Sequence, residues 1–274
     1  MSALLALASA LCWGSSDFFA GVFTRRRRVL AVVGWSQSLG FLILSVAVIV
    51  RWGSVTSWNW LPWAVAASFV GASGLLLFYQ ALATGTMGVI APIASLGVVV
   101  PVVLGVLGGD QPAAMTWVGM VTAMIGATLA SGPELSGAVS PRPVIFAALA
   151  AVCFGLTLFF LHQGSGTSAL MTVWGMRGTS LVIFATVALL TRSLGGVRPM
   201  DLPALALIGF GDLFANILFG YASSLGHVSV TSVLGSLYPI ATIILARFVL
   251  GERLLPVQLG GVALALVGAA VIAV

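Results

Sequence analysis

Apolar runs separated by short polar breaks fill this chain from one end to the other. Ten runs have the length that a tilted helix needs to cross hydrocarbon, about 17–25 residues. They lie at 2–23, 29–50, 60–83, 86–108, 114–131, 143–162, 169–190, 202–224, 227–249 and 256–273. The breaks carry turn chemistry: the arginines at 25–28, the 51–59 stretch, 84–86, 108–112, 131–143, 164–167, 193–201 and 251–256. None is long enough for a folded soluble domain. The pattern predicts an all-α polytopic membrane protein of ten transmembrane helices.

The pattern also occurs twice. Leu77 to Gly85 (LFYQALATG) returns as Leu218 to Gly226 (LFGYASSLG), 141 positions later. The same offset relates Cys12-Trp13-Gly14 to Cys153-Phe154-Gly155, and Ser95-Leu96 to Ser236-Leu237. With one inserted residue, Asp110, Gly119 and Gly126 match Glu252, Gly261 and Gly268. Five spans per repeat is an odd number, so the second repeat enters from the opposite side. This predicts two inverted five-helix repeats, 1–132 and 143–274, an arrangement typical of transporters. The glycines seven apart in spans five and ten make smooth strips for close helix packing.

Composition narrows the class. The 274 residues are 60% hydrophobic and 6% charged, too apolar for a soluble domain of this size. The net charge of +5 sits on arginines beside apolar spans, where they act as topology signals, so nucleic acid is not an expected partner; the lipid bilayer is. Trp52, Trp58, Trp60 and Trp63 form an interfacial belt. Cys12 and Cys153 lie inside spans and are read as packing residues. The first span lacks a basic leader and cleavage site and is read as a retained helix.

Leu11-Cys12-Trp13-Gly14-Ser15-Ser16 resembles the opening motif of EamA-type transporters of the drug/metabolite transporter superfamily. The stretch from Leu225-Gly226-His227 through Ser236-Leu237-Tyr238-Pro239 to Gly251-Glu252-Arg253, then Gly260-Gly261 and Gly268, is similar to that family's more specific signature. The first repeat departs from it, with Val98 at the proline position and Asp110-Gln111 in place of Glu252-Arg253. The resemblance implies ten helices, a central cavity between halves, alternating access, and commonly export of amino acids, metabolites or drugs.

Charge inside a span is expensive and asks for a reason. Asp212, mid-way along span eight, shares a helical face with Asn216 and Gly220; it suits a substrate amine or a proton, or else a packing bond to a neighbour. Asp17 either reaches the cavity or pairs with the arginine run near it. Neither acid has an acidic counterpart in the other repeat. Arg177 resembles an arginine that EamA proteins often carry; it either binds a substrate carboxylate or neutralises Asp212 or Asp17. Arg247 is expected to snorkel. Trp13, Tyr79, Gln80, Trp174, Tyr221 and Tyr238 are large or polar groups on spans expected to line the cavity, as are Ser232 and Ser236, four apart on one face. Pro239, and Pro92 with Pro101, are expected to break spans nine and four.

No catalytic constellation, metal-ligand spacing, phosphate loop or ATP-binding domain is present in the sequence, so no enzyme activity, metal or cofactor is expected. The expectation is a monomeric secondary carrier of the inner (plasma) membrane, exporting small amphipathic solutes such as amino acids, either coupled to protons through Asp212 or Asp17 or as an uncoupled facilitator. The rivals are a drug or lipid-precursor exporter, an uptake permease, and a membrane scaffold without transport. Arg25 to Arg28, Arg142, Arg192, Arg198 and Arg253 all follow odd-numbered spans, so the positive-inside rule places both termini outside the cytoplasm, although the resemblance implies both inside.

Overall fold

A computed structural model describes residues 1–24, 27–51, 57–84, 93–130, 141–193, 195–249 and 255–273. Every regular element among them is helical: α1 (Ser2–Thr24), α2 (Val29–Arg51), α3 (Leu61–Thr84), α4 (Val99–Leu107, entered through a 3-10 turn at Leu96–Val98), α5 (Ala114–Ala130), α6 (Pro141–Thr191), α7 (Leu202–Ser224, entered through a 3-10 turn at Pro199–Asp201), α8 (Val228–Gly235), α9 (Tyr238–Val249) and α10 (Pro256–Ala273). Six helical stretches are long and apolar enough to cross a membrane, and Ile93–Leu107, Ala114–Ala130 and Pro256–Ile272 are shorter apolar helices.

Two boundaries differ from the sequence pattern. Spans six and seven, expected to part at 164–167, form one helical run whose only extended residue is Ser168 (φ −165°, ψ 112°). Ser168 caps the following limb: its Oγ accepts the Met171 N–H at 3.3 Å. The chain folds back there because Gly164 has no side chain; a Cβ would come 2.5 Å from Thr172. Span nine, in contrast, is two helices parted at Ser236-Leu237, and Pro239 is the second residue of α9, a first-turn proline. Pro101 does not break span four as expected. It sits in the first turn of α4, and the tightened turn lies just before it at 96–98, the positions matching 237–239. Pro92 lies outside the described residues.

The halves hold each other rather than themselves. α1 and α2 pack on α7, α3 packs on α6, and α5 packs on α10, while α1, α2 and α3 touch one another little. The contacts are reciprocal. Gly14 lies against the Tyr238 carbonyl and the Ala241 side chain; its counterpart Gly155 lies against the Gly97 carbonyl and Val100, each partner displaced by 141 in the opposite sense. The glycine strips expected on spans five and ten face each other, with Gly119 against the Gly268 carbonyl, and Gly126 and Gly261 against Ala265 and Ala130. A side chain at any of these positions would displace backbone.

Close contacts also sort the helix ends onto two faces. Gly226 abuts Ser2, and Gly105 abuts Val228, on the face that carries the N-terminus. On the other face Arg27 pairs with Asp201 at 2.9 Å, and Gly195 abuts Ala31. That second face bears Arg27, Arg28, Arg142, Arg192 and Arg198.

Candidate functional site

A cavity of about 1080 Å³, counting its open mouth, lies where the halves meet. Its walls come from α1, α2, α3, the start of α4, both limbs of α6, α7 and the α8–α9 junction. It extends from mid-helix towards the arginine-bearing face, reaching Val33, Phe78 and Phe184. Towards the opposite face it ends on one apolar cluster, in which Trp60, Leu161 and Phe219 are fully buried and Trp13 sits 5.7 Å from Phe219, ring centre to ring centre.

Seven expected residues line the cavity: Trp13, Asp17, Arg177, Asp212, Asn216, Ser236 and Tyr238. Trp174 does not. Its Nε1 donates to Ser45 Oγ at 2.9 Å and its ring stacks on Phe41, so it fastens α6 to α2 behind the wall. Tyr221 is 46% exposed on the outer side of α7, five residues past Asn216 and turned away from it. Ser232 is fully buried in α8 and outside the lining; the turn at Ser236-Leu237 swings Ser236 into the cavity and leaves Ser232 behind it. Gln80 is exposed near the end of α3, away from the lining. The Tyr79 side chain lies outside the described residues. Gly220, expected to offer a smooth patch beside Asp212, instead admits Ser165 and Ala169 of α6. Arg247 is exposed near the end of α9.

Arg177 is buried and forms an ion pair with Asp212, Nη2 to Oδ2 2.7 Å, without the alignment of a hydrogen bond. Gln37 of α2 joins the two: its Nε2 donates to Asp212 Oδ2 at 3.1 Å, and its Oε1 accepts from Arg177 Nη1. Asn216 Nδ2 donates to Asp212 Oδ1 at 3.2 Å and to the Asp212 carbonyl at 2.7 Å. Arg177 Nε is buried and has no hydrogen-bond partner among the described residues. Gln37 was not legible as a site residue; the only signal was an amide in the first half of an apolar span. Ser68 and Ser180, whose hydroxyls lie 3.0 Å apart, and Thr157 also line the cavity unexpectedly.

Asp17 is in a different position. Its surface is accessible, yet protein surrounds it; what it faces is the cavity and a small recess between α1, α2 and α7 shared with Gln37 and Asp212. Among the described residues no cation or hydrogen-bond donor meets its carboxylate, and the acid that shares its recess is Asp212. The site therefore holds one compensated acid and one uncompensated acid within the same apolar walls.

A helical bundle of apolar spans, built from two repeats around a polar-centred cavity, defines a membrane transporter of small solutes. The model of the EamA-like transporter family matches residues 1–132 and again 141–274, and the chain belongs to that family. A solved crystal structure, 18% identical, superposes with a TM-score of 0.80 over 98% of this chain and 95% of the other, and shares its fold. Curated protein sequences give no match.

Proposed function

We propose that the chain is a secondary carrier that exports small amphipathic solutes bearing an amine, such as amino acids, by alternating access and in exchange for protons. The observation that carries this reading is the division of labour between the two acids. Asp212 already has the Arg177 guanidinium, so its charge needs no ligand. Asp17 has no counter-charge among the described residues, and a lone carboxylate facing an apolar cavity is neutralised by a proton or a cation. A proton and an ammonium group competing for Asp17 would couple the two flows. The sequence left this role open between Asp212 and Asp17; the Arg177–Asp212 ion pair favours Asp17. Arg177, a cation in the cavity wall whose buried Nε–H has no hydrogen-bond partner among the described residues, suits the carboxylate of a zwitterion.

In this reading the chain comprises ten transmembrane helices in two inverted repeats, 1–132 and 143–274, supported by the reciprocal contacts of Gly14 and Gly155. It works as a monomer in the inner (plasma) membrane, since duplication supplies both halves of the cavity. The arginine-bearing face is cytoplasmic, following the positive-inside rule.

The test is efflux from proteoliposomes loaded with a mixed pool of amino acids and amines under an imposed pH gradient. Gradient-driven efflux lost in Asp17→Asn supports the reading. Efflux that ignores the gradient and survives Asp17→Asn would make the protein an uncoupled facilitator.

A further inference from the structure

The first turn of α8 is held by a residue from the other half of the chain. Asp110, in the connection after α4, accepts hydrogen bonds at Oδ2 from the Ser229 N–H (2.9 Å) and the Ser229 hydroxyl (2.8 Å). Its Oδ1 lies 3.0 Å from Nδ1 of His227, the residue before α8. A carboxylate suits this place, because the first amide groups of a helix point outward unpaired and carry partial positive charge.

The connection is shaped to deliver that carboxylate. The Asp110 N–H donates to the Gly105 carbonyl at 2.9 Å, and Gly109 takes φ +110°, a conformation that side chains rarely allow. Gly105 leaves room for the arriving helix: a Cβ there would stand 2.6 Å from Val228 Cγ1 and 2.7 Å from Asp110 Oδ2. Partial burial works to raise the Asp110 carboxyl, but the two Ser229 bonds and His227 outweigh it and hold it below the usual carboxylate range.

Its location gives the contact meaning. It lies on the face where the cavity is shut, beyond the plug of Trp13, Leu161 and Phe219. α4 packs on α6 and directly on α8, and α8 also packs on α1 and α7, so the contact fastens the end of a seam where a helix of one half meets a helix of the other. On the opposite face the ion pair Arg27–Asp201 fastens a second such seam. It joins the α1–α2 connection to the start of α7, and α1 and α7 already pack along their lengths.

We propose that the Asp110–Ser229–His227 contact is the latch that keeps the N-terminal face of the cavity closed, and that its release is the step that opens that face. This rests on the alternating-access reading above.

The test reads access rather than flux, so it stands apart from any failure to find transport. In a background with Cys12 and Cys153 replaced by alanine, Ala72→Cys places one thiol in the cavity wall. A membrane-impermeant maleimide is applied to each face of oriented vesicles in turn. Losing hydrogen bonds to a charged acceptor weakens the closed state, so Asp110→Ala is expected to raise labelling from the N-terminal face roughly tenfold. Ser229→Ala, which removes only the hydroxyl bond, is expected to give a smaller rise. Unchanged labelling from that face in well-folded Asp110→Ala would overturn the proposal. If Asp110→Ala does not fold, unchanged labelling in Ser229→Ala would do the same.

Discussion

Arg177 and Asp212 meet at 2.7 Å with unequal exposure, 3% for the arginine side chain and 28% for the aspartate. The arginine is fixed in the wall and the acid opens onto the cavity. Removing the arginine alone leaves a charge without its partner in an apolar setting, which costs about 3 kcal/mol. Arg177→Ala is therefore expected to lower the thermal unfolding midpoint in detergent clearly. The double change Arg177→Gln with Asp212→Asn, which removes both charges, is expected to recover much of that loss. Additive losses would show that the two side chains act independently.

Asp17→Asn is expected to behave in the opposite way. It removes a charge with no counter-charge among the described residues, so the unfolding midpoint should stay level or rise. Amine-solute efflux should fall at least roughly tenfold, the loss of one charged contact. A destabilised Asp17→Asn with unchanged efflux would return Asp17 to a packing role.

The reciprocal glycines give a paired prediction. Gly14→Ala and Gly155→Ala each drive a methyl group into backbone, at the Tyr238 and Gly97 carbonyls respectively, and both are expected to abolish stable expression. Gly21→Ala, on the same helix as Gly14, meets nothing within 4 Å and should be neutral or stabilising by about 0.5–1 kcal/mol, because alanine favours the helix. Fluorescence-detected gel filtration of the three variants decides this.

Acid should loosen the connection after α4. The folded-state Asp110 carboxyl sits below its ordinary value, so its contribution to stability is complete above about pH 4 and fades as pH falls through the folded-state value. Unfolding midpoints measured from pH 7 down to pH 3 should therefore fall less steeply for Asp110→Asn than for the parent protein. Identical slopes would mean that Asp110 is no more acidic folded than unfolded.

Much of the architecture was legible because apolar length and repetition are both written along the chain. Asp17, Arg177 and Asp212 stood out because charge in hydrocarbon is costly, and all three face the cavity. Gln37 did not stand out: an uncharged amide can be carried in a span at modest cost, and only its distance from Arg177 and Asp212 in space reveals its place. Trp174 was misplaced although it sits three residues before Arg177, because a face two residues share can still be divided between two neighbours. Here Ser45 and Phe41 of α2 take the indole. Ser232 and Ser236 were read as one face of one helix, and the interruption at Ser236-Leu237 separates them. Helical periodicity orders residues around an axis; it does not say where that axis bends.

The crossed packing of the two halves has a consequence for how the molecule is made. α1 and α2 find their main partners in α6 and α7, so once made they wait in the bilayer until those later helices have followed. During that interval Asp17 has only lipid, water and its own helix for company. Assembly of this protein is therefore a late, long-range event rather than a stepwise growth, and the nascent chain is most exposed to quality-control proteases just before α7 arrives.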